Sequence, residues 1–567
     1  MRTFLRTFSA AALLAALAVP AYPAAVINII NMDGPGEGFN DATPALPVGG
    51  NTGTTIGQQR LNCFTQAANI WGSLLTSAVP IDIQAAFNPL TCTATSAVLG
   101  SAGPRFVEIN DPAFEFQGFW YHEALANKQA GIDLVPPFGT DNGSEINAQF
   151  NSNLGNVGCL TGSGWYYGFD HNEGANIDLL AVLLHEFGHG LGFSTTTSGS
   201  TGAYLNGPPS APAVWDRFLL DETSLLHWNQ NTAPQRVASA INTNNLVWDG
   251  AEVTAAAAGF LAAAPELVVP YGSGSVAVNT AAFGPALTLG GTTGQAIVVV
   301  DPTAPINDGC ETPFTNAGAL AGKVAVIDRG LCGFTVKVKN AQNAGAIACI
   351  LVNNVAGTIA PGGSDPTITI PSVAITQADG VTLKNAIAAG TVNVTMRLSP
   401  TQRAGMQPSG RVRMYAPNPF QGGSSVSHYD ISTTPNLLME PAINPDLTSS
   451  VDLTEALFRD IGWLPHLLGV PGSGPATRIA LASNPNPARG NTRVHFELAA
   501  DERVELTLYD LSGRRVRSLA KGTLVAGPHD VTWDGLDQTG RPAAPGVYLA
   551  RLKGSRTHAT HHIVLVN

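Results

Sequence analysis

The stretch "LLHEFGHGLGFSTTT", residues 183–197, decides the fold of the chain around it. It contains His185, Glu186 and His189, with the two histidines four positions apart. Residues at i and i+4 lie on one face of a helix, one turn apart, so both imidazoles can reach the same metal ion. The glutamate between them can take a proton from a water molecule that the metal activates. The stretch therefore predicts a metal-binding helix.

The surrounding sequence "NIDLLAVLLHEFGHG", residues 176–190, predicts that this helix is buried, because it is apolar on nearly all sides. Asn176 is the predicted N-cap, and Gly190 and Gly192 are predicted to end the helix. Gly192 also lets the chain turn sharply, so that later residues can approach the metal. Two histidines and a glutamate are costly in such a helix unless they have partners. The alternative is an ordinary core helix whose histidines are satisfied by hydrogen bonds.

These residues favour zinc-dependent hydrolysis, with a peptide bond as the natural target. Zinc lowers the pKa of a bound water to about 7, and Glu186 as general base completes its activation. Two other classes stay open. A surface binding or adhesion protein could carry a purely structural zinc site, although such sites are normally closed by four protein ligands. A zinc hydrolase that acts on non-peptide amides would use the same groups.

The bulk composition limits the partners. A chain of 567 residues is too long for one hydrophobic core, and about three or four domains are expected. A hydrophobic content of 44% with 12% charged residues is typical of a globular protein. The net charge of −12 argues against nucleic acid or an anionic membrane as the partner. We therefore expect protein or peptide substrates and no nucleic acid.

Residues 1–25 predict a secretory signal peptide. Arg2 and Arg6 form a basic start, residues 10–19 an apolar core, and residues 21–25 a cleavage site of small side chains. The apolar run is too short to span a bilayer, and no other run is long and apolar enough. We expect a secreted protein, free or associated with the cell surface.

The character of the sequence changes along the chain, which indicates a multidomain α+β protein. Residues 26–267 and 399–465 combine helices with strands and form one α+β unit. Residues 268–398 contain short β-branched strands around a helix, which indicates a separate α/β, barrel-like unit. A Pro/Gly/Ser-rich linker, residues 466–477, precedes residues 478–567, whose short alternating strands predict a β-sandwich.

Six cysteines fit an oxidising compartment. The expected pairs are Cys63 with Cys92 and Cys310 with Cys332. Each of these pairs would close a loop inside one predicted domain. Cys159 and Cys349 are left over. Cys349 lies in the apolar run "AGAIACILVNN", which favours a buried free thiol.

The motif "HEFGHGLGF" resembles the active-site helix of metzincins, specifically of the leishmanolysin-like group. Members of that group carry the third histidine far downstream, ahead of a methionine turn. Here "SSVSHYDISTTPNLLMEP", residues 424–441, resembles that segment, with Met439 as the turn methionine. Thr195 stands where other metzincins keep their third histidine. The resemblance implies one catalytic Zn²⁺ ion bound by three residues, His185, His189 and His428.

The second and third implied ligands are 239 residues apart. A separation of this length between two ligands is physically possible, because the entropic cost of closing a loop rises only with the logarithm of its length. The cost is smaller still when the intervening chain is a folded insert whose ends lie side by side. Other third ligands stay open. Glu222 could serve from a following helix. His171 and His122 are further candidates, although a turn or cap is favoured for His171 and packing for His122.

Two further resemblances concern the accessory domains. "ALAGKVAVIDRGLCGFTVKVKNAQNAGAIACILVNN", residues 319–354, resembles the protease-associated (PA) domain. This implies a non-catalytic module that governs substrate access or protein contacts, with a structural spacer as the alternative. "YDLSGRRV", followed by "WDG" and "GVY", resembles the Ig-like C-terminal domain of exported bacterial proteins. Related domains act in type IX secretion sorting or flagellar hook capping, which implies contact with export machinery or the cell surface.

Substrate binding is the last expectation. In metzincins an edge strand above the active-site helix pairs with an extended peptide, and "EINAQFNS", residues 145–152, occupies the matching place. An ordinary sheet strand is the alternative. Taken together, the sequence predicts a secreted bacterial zinc metalloendopeptidase with Glu186 as general base.

Overall fold

The computed structural model describes residues 23–138, 142–205 and 207–465, and in the C-terminal part residues 481–484, 488–498, 502–510, 514–525, 527–544, 546–554 and 558–565. The chain divides into two compact units, one up to Leu468 and one from Gly469. The predicted linker and all but the last three residues of the predicted signal peptide lie outside the described residues. None of the helices formed by the described residues has the length and apolarity that a membrane span requires.

The chain ahead of the predicted insert alternates strands and helices. Its elements are β1 (Ile27–Asn31), α1 (Ile56–Leu74), β2 (Ile81–Asn88), β3 (Gly100–Pro104), β4 (Val107–Glu108), β5 (Tyr121–His122), α2 (Glu123–Ala130), β6 (Ile146–Asn151), β7 (Trp165–Tyr166), β8 (Ile177–Asp178), α3 (Leu179–Leu191), β9 (Leu219–Asp221), β10 (Leu226–His227), α4 (Ala233–Ser239), β11 (Leu246–Trp248) and α5 (Ala251–Phe260).

The first sheet has the strand order β1-β2-β6-β3. β1, β2 and β6 run parallel, whereas β3 is antiparallel to β6, with Gly100 opposite Phe150. Every second residue of β2 is buried, as its alternating sequence predicts. α1 contacts β1 and α3, and α3 contacts β3 and β6. The predicted metal-binding helix therefore lies against the sheet next to its antiparallel strand.

The prediction that residues 145–152 form the edge strand is wrong. β6 lies inside the sheet, and β3 forms the edge beside α3. The sequence of β3, "GSAGP", contains two glycines and a proline and has no apolar alternation. It therefore carries no strand signal, and only pairing with β6 makes it extended.

The insert forms an eight-stranded sheet of order β13-β12-β19-β15-β16-β17-β18-β14. Its elements are β12 (Ala263–Val268), β13 (Ser275–Ala277), β14 (Asn279–Thr280), β15 (Thr292–Val298), β16 (Val324–Asp328), α6 (Phe334–Asn343), β17 (Ala348–Val352), β18 (Ser372–Ile375), α7 (Gln377–Ala389) and β19 (Asn393–Arg403). β12 and β19 are antiparallel neighbours, with Val268 opposite Thr395, so the chain enters and leaves side by side. The insert has two apolar clusters of its own. The predicted boundaries at 268 and 399 stay predictions.

After the insert the chain returns to the first core through β20 (Val412–Arg413) and α8 (Thr454–Asp460). β20 pairs with β11, with Val412 opposite Trp248. One hydrophobic cluster contains residues from before and after the insert, including Trp71, Leu184 and Trp463. The two separated stretches therefore share one core, which brings the distant segment 424–441 within reach of α3.

The second compact unit consists of β21 (Ala482–Asn484), β22 (Thr492–Leu498), β23 (Glu502–Asp510), β24 (Arg515–Leu524), β25 (Gly527–Trp533), β26 (Gly546–Lys553) and β27 (His558–Leu565). They form two sheets, β21-β22-β25 and β24-β23-β26-β27, in which all pairs are antiparallel. Both sheets contribute to one apolar cluster that includes Phe496, Leu506 and Trp533. This is the arrangement of a β-sandwich.

The expected Cys63–Cys92 pair is wrong, because Cys92 is bonded to Cys159. β2 and β6 are parallel neighbours, so the loops that follow them leave the same end of the sheet and bring these two cysteines together. Cys63 is a buried free thiol on α1. The expected Cys310–Cys332 bond is present. Cys349 is a buried free thiol, as its apolar surroundings suggested.

Candidate metal centre

Helix α3 begins and ends at polar and glycine residues that differ in part from the predicted ones. The N-cap is Asp178, whose carboxylate accepts hydrogen bonds from the backbone N–H of Leu180 (2.8 Å) and Ala181 (3.4 Å). The prediction of Asn176 is wrong by two residues, because the strand β8 includes Asp178 and delays the helix. Gly192 is the C-cap, as predicted, with a φ of 126°. All residues of the helix are buried.

Two glycines let α3 lie close to its neighbours. A Cβ on Gly188 would stand 2.8 Å from the Sδ of Met439. A Cβ on Gly190 would stand 2.5 Å from Cγ2 of Ile146 in β6. Both distances are shorter than carbon side chains tolerate, so only glycine permits these contacts. Met439 is fully buried beneath the histidine-bearing helix, where the resemblance implied a turn methionine.

His185, His189 and His428 meet at one point. Their Nε2 atoms are 3.2 Å apart for His185 and His189, 3.2 Å for His189 and His428, and 3.3 Å for His185 and His428. All three side chains are at least nine-tenths buried. The structure thus brings together residues that lie up to 243 positions apart in the chain.

The other ring nitrogen of each histidine contacts a backbone carbonyl. Nδ1 of His185 lies 2.7 Å from the oxygen of Leu438, and Nδ1 of His189 lies 2.8 Å from that of Phe193. Nδ1 of His428 lies 2.7 Å from the carbonyl oxygen four residues earlier. A carbonyl can only accept, so each Nδ1 donates its proton. Each neutral ring therefore presents the lone pair of Nε2 to the common point.

This arrangement fits a metal ion. A tetrahedral zinc site with Zn–N distances of about 2.0–2.1 Å separates its nitrogen ligands by about 3.3–3.4 Å, close to the spacing of these atoms. Burial lowers the pKa of His185 to about 4 and that of His428 to about 3, and it lowers the pKa of His189 well below its usual value. The three imidazoles are thus neutral near pH 7. Three lone pairs that converge in a buried space are costly without a partner, and a metal ion could accept all three.

Glu186 follows His185 directly in α3. It is buried, and its Oε2 accepts a hydrogen bond of 3.0 Å from the N–H of Ala102 in the edge strand β3. Burial raises the pKa of Glu186 to about 7. Among the described residues, the set of candidate ligand atoms within 4.8 Å of one another contains the three histidines and no carboxylate. Glu186 is therefore positioned as a neighbour of the site and not as a fourth ligand.

The rival third ligands have other partners. Glu222 accepts hydrogen bonds from Ser409 (2.5 Å) and Arg411 (3.2 Å). His171 bridges the N-cap Asp178 (Nδ1 to Oδ2, 2.6 Å) and the hydroxyl of Ser449 (Nε2 to Oγ, 2.9 Å). His122 is buried, with its Nε2 3.4 Å from Ser194 Oγ. None of the three belongs to the histidine cluster within the described part of the chain.

Thr195 and Tyr429 also point elsewhere. The Thr195 hydroxyl donates to Asp216 at 2.6 Å, so it holds a buried carboxylate instead of a metal. The Tyr429 hydroxyl donates to the carbonyl of Leu453 at 3.3 Å, which leaves it directed into the core. The sequence did not indicate Asp216. No spacing marks it, because it lies between the two motifs and acts through tertiary contacts.

A second cluster of candidate ligand atoms, this one acidic, lies in the insert. Asp301, Asp308 and Glu311 bring carboxylate oxygens within 4.8 Å of one another. The buried amine of Lys337 lies 3.8 Å from Oδ2 of Asp308 and donates to the carbonyl of the same residue. Burial raises the pKa of Asp301. This group is built from the insert alone and contains none of the histidines.

Comparison with known proteins identifies the accessory domains. The family described as "PA domain" matches residues 292–383, and the "FlgD Ig-like domain" matches residues 483–558. The chain is 36% identical over 88 residues to the minor extracellular protease Vpr of Bacillus subtilis, which covers 16% of this chain and 11% of that protein. It is 40% identical over 94 residues to leucine aminopeptidase 2 of Arthroderma otae, which covers 16% of this chain and 19% of that protein.

Solved structures give weaker likenesses. A zinc aminopeptidase from Bacillus subtilis has 25% identity and a TM-score of 0.19, with 25% of this chain and 32% of that chain covered. FlgD from P. aeruginosa has 23% identity and a TM-score of 0.12, with 16% and 67% covered. The chain spans less than a fifth of the length of the curated relatives it matches. The protein is thus a multidomain α+β chain that contains a PA domain and a FlgD Ig-like domain.

Proposed function

We propose that this protein is an exported, zinc-dependent metalloendopeptidase of the metzincin type, with His185, His189 and His428 as zinc ligands and Glu186 as general base. One observation carries the proposal. Three neutral imidazoles direct their Nε2 lone pairs to a single buried point at the spacing of a tetrahedral zinc site. The names of the relatives, an extracellular protease and a leucine aminopeptidase, agree with chemistry on peptide bonds.

In this mechanism bound zinc would supply a Lewis acid for the scissile carbonyl and would acidify the attacking water. Glu186 takes the proton of that water and donates it to the leaving amine. The N–H of Ala102 donates to Oε2 of Glu186 and so restrains the carboxylate. The open edge of β3 pairs with an extended peptide by main-chain hydrogen bonds, which keeps the peptide in register beside Glu186.

Export is part of the proposal. The basic start, apolar core and small residues of the N-terminal sequence support a signal peptide. The Cys92–Cys159 and Cys310–Cys332 bonds agree with an oxidising compartment. We propose that the PA domain governs access of substrates and that the FlgD Ig-like domain contacts export machinery or the cell surface.

The first experiment measures zinc content and casein cleavage for the wild type and His428→Ala. The wild type should contain one zinc per chain and cleave casein, and the variant should lose both. Glu222→Gln serves as the control, because it removes a rival ligand that is engaged with Ser409 and Arg411. Normal zinc content and cleavage in His428→Ala would reject the ligand set.

A second assay separates endopeptidase from aminopeptidase activity. Peptides with an acetylated N-terminus are cleaved by an endopeptidase but not by an aminopeptidase, whereas amino-acid anilides test the opposite. We expect cleavage of the blocked peptides. A zinc-containing protein that cleaves neither substrate would favour a binding protein with a structural zinc site.

A further inference from the structure

The turn from Ala213 to Arg217 contacts both the loop that follows α3 and the segment 424–441. Its residues Val214–Arg217 form a short 3-10 helix. Asp216 in this turn is fully buried. Its carboxylate accepts hydrogen bonds from the hydroxyls of Thr195 (2.6 Å) and Thr197 and from the N–H of Ala213 (3.0 Å). Charge-assisted bonds of this kind are strong and directional, so Asp216 fixes the loop that follows α3.

That loop contacts His189 on one side and the residue before His428 on the other. The carbonyl of Phe193 accepts the proton of His189 Nδ1 at 2.8 Å. The N–H of Thr195 donates to the hydroxyl of Ser427 at 3.3 Å, one residue before His428. The bonds made by Asp216 therefore act on the orientation of one ligand and on the position of the segment that carries another.

Trp215 also connects the loop that follows α3 to the segment that carries His428. Its Nε1 donates to the carbonyl of Val426 at 3.2 Å, two residues before His428. Its ring is fully buried and packs against Phe193, with 4.8 Å between ring centroids. The indole is thus a rigid support that reaches both the loop after α3 and the downstream segment.

Val426 is held in an unfavourable conformation. Its φ is 68°, in the left-handed region that β-branched residues avoid. Its N–H donates to the carbonyl of Tyr415 at 2.8 Å, and its own carbonyl accepts from Trp215. A strained residue persists only where its surroundings impose the strain, and such residues concentrate at functional sites. Here the imposed conformation directs the chain that leads to His428.

We propose that Asp216 and Trp215 are positioning residues that hold His428 against the two histidines of α3. His428 stands in for the third histidine that other metzincins keep where Thr195 stands here, and these two residues hold the segment that carries it. The inference rests on the proposed function in that the bound ion is zinc. Neither residue belongs to the cluster of candidate ligands among the described residues. Loss of a partner that orients a metal ligand typically weakens metal affinity about 10–100-fold.

The test measures zinc dissociation constants by competition with a chromophoric chelator. Asp216→Asn and Trp215→Phe should each bind zinc about 10–100-fold more weakly than the wild type. Asparagine keeps the size but offers an amide to hydroxyls that donate, and phenylalanine keeps a ring but lacks the N–H. Ser198→Ala is the matched control in the same loop. Within the described part of the chain, the hydroxyl of Ser198 bonds to Ser200 Oγ and Thr201 N, away from the histidines, so the zinc affinity of this variant should be unchanged.

The visible absorption spectrum of bound Co²⁺ distinguishes a displaced metal ligand from a general loss of protein stability. Tetrahedral Co²⁺ absorbs more strongly in visible light than Co²⁺ of higher coordination number. At saturating Co²⁺ the two positioning variants should absorb less than the wild type, while thermal melting of the metal-free proteins checks that they fold. If Asp216→Asn does not fold, Thr195→Val tests the same contact with a nearly unchanged shape.

The outcomes are distinguishable. If the folded variants bind zinc within about threefold of the wild type and keep its Co²⁺ spectrum, while His428→Ala loses zinc, the positioning roles are rejected and the proposed function stands. If the wild type binds no zinc, or His428→Ala binds as the wild type does, the proposed function fails instead. Weaker zinc binding and a changed spectrum in both variants, with Ser198→Ala unchanged, support the inference.

Discussion

The two parts of the candidate centre are built in different ways. α3 presents His185 and His189 through helical periodicity, within 13 buried residues. His428 belongs to the segment 424–441, in which no helix or strand is formed. The backbone around His428 is held by bonds such as Tyr415 N–H to the His428 carbonyl (2.9 Å). Local structure therefore suffices for two ligands, whereas the third depends on tertiary contacts that single substitutions can disturb.

The largest effect is expected at the helical part. Glu186→Gln should lower kcat about 10²–10⁴-fold, because an amide cannot accept the proton of the attacking water. Zinc content should stay at the wild-type level, since Glu186 is outside the histidine cluster. Steady-state casein cleavage and metal analysis of the same preparation measure both. A variant that keeps full activity would remove Glu186 from the mechanism.

A change beneath the centre tests the downstream part. Met439→Ala should lower the free energy of unfolding by about 2–5 kcal/mol, because it leaves a cavity in a fully buried position. Met439→Leu, which nearly conserves the volume, should cost less than about 1.5 kcal/mol. Urea denaturation of the metal-free proteins compares the two. Equal losses in both variants would show that the sulfur itself, and not the filled volume, matters.

The contact between the two parts is tested at Gly188. Gly188→Ala should destabilise the protein by about 1–3 kcal/mol, because the new Cβ would stand 2.8 Å from Met439 Sδ. Gly259→Ala is the matched control, since Gly259 is also helical but exposed, with open space around its would-be Cβ. That variant should be more stable by about 0.5–1 kcal/mol. Urea denaturation gives both values, and a neutral Gly188→Ala would mean that the two parts pack loosely.

The smallest effect is expected at Glu123, a buried carboxyl group outside both parts of the candidate centre, and it concerns the pH dependence of stability. Glu123 is fully buried, and burial raises its pKa to about 8. The nearby Glu145 and Asp133 raise this pKa further, and Arg105 lowers it. Because the folded state retains the proton, the stability from this group is full below pH 4.5 and is lost as pH rises through about 8.

Glu123→Gln removes this titration. The variant should therefore lose less stability than the wild type between about pH 5 and about pH 9. Urea midpoints at several pH values measure the difference. Parallel curves for the two proteins would show that Glu123 is ionised or hydrated in the folded state.

Periodicity predicted the elements that are regular over many residues. The alternation of β2 and the apolar surface of α3 are examples, and both elements are present. It did not predict β3, whose glycines and proline carry no pattern. The wrong pairing of Cys63 came instead from the expectation that each disulfide closes a loop inside one domain. Sequence distance does not show that the loops after β2 and β6 leave the sheet at the same end.

The chemical groups of the candidate centre are recognisable in the sequence alone. They are two histidines one helical turn apart, a glutamate beside them, and a histidine in a segment that resembles the third-histidine segment of leishmanolysin-like metzincins. Only the tertiary structure decided how they meet. The acceptors that orient the three rings are the carbonyls of Leu438, Phe193 and Ser424, and every residue has a carbonyl, so no residue type marks them. The three rings converge because the stretches of chain that carry them share one hydrophobic core. The positions of residues along the chain do not show which of them this core brings close together.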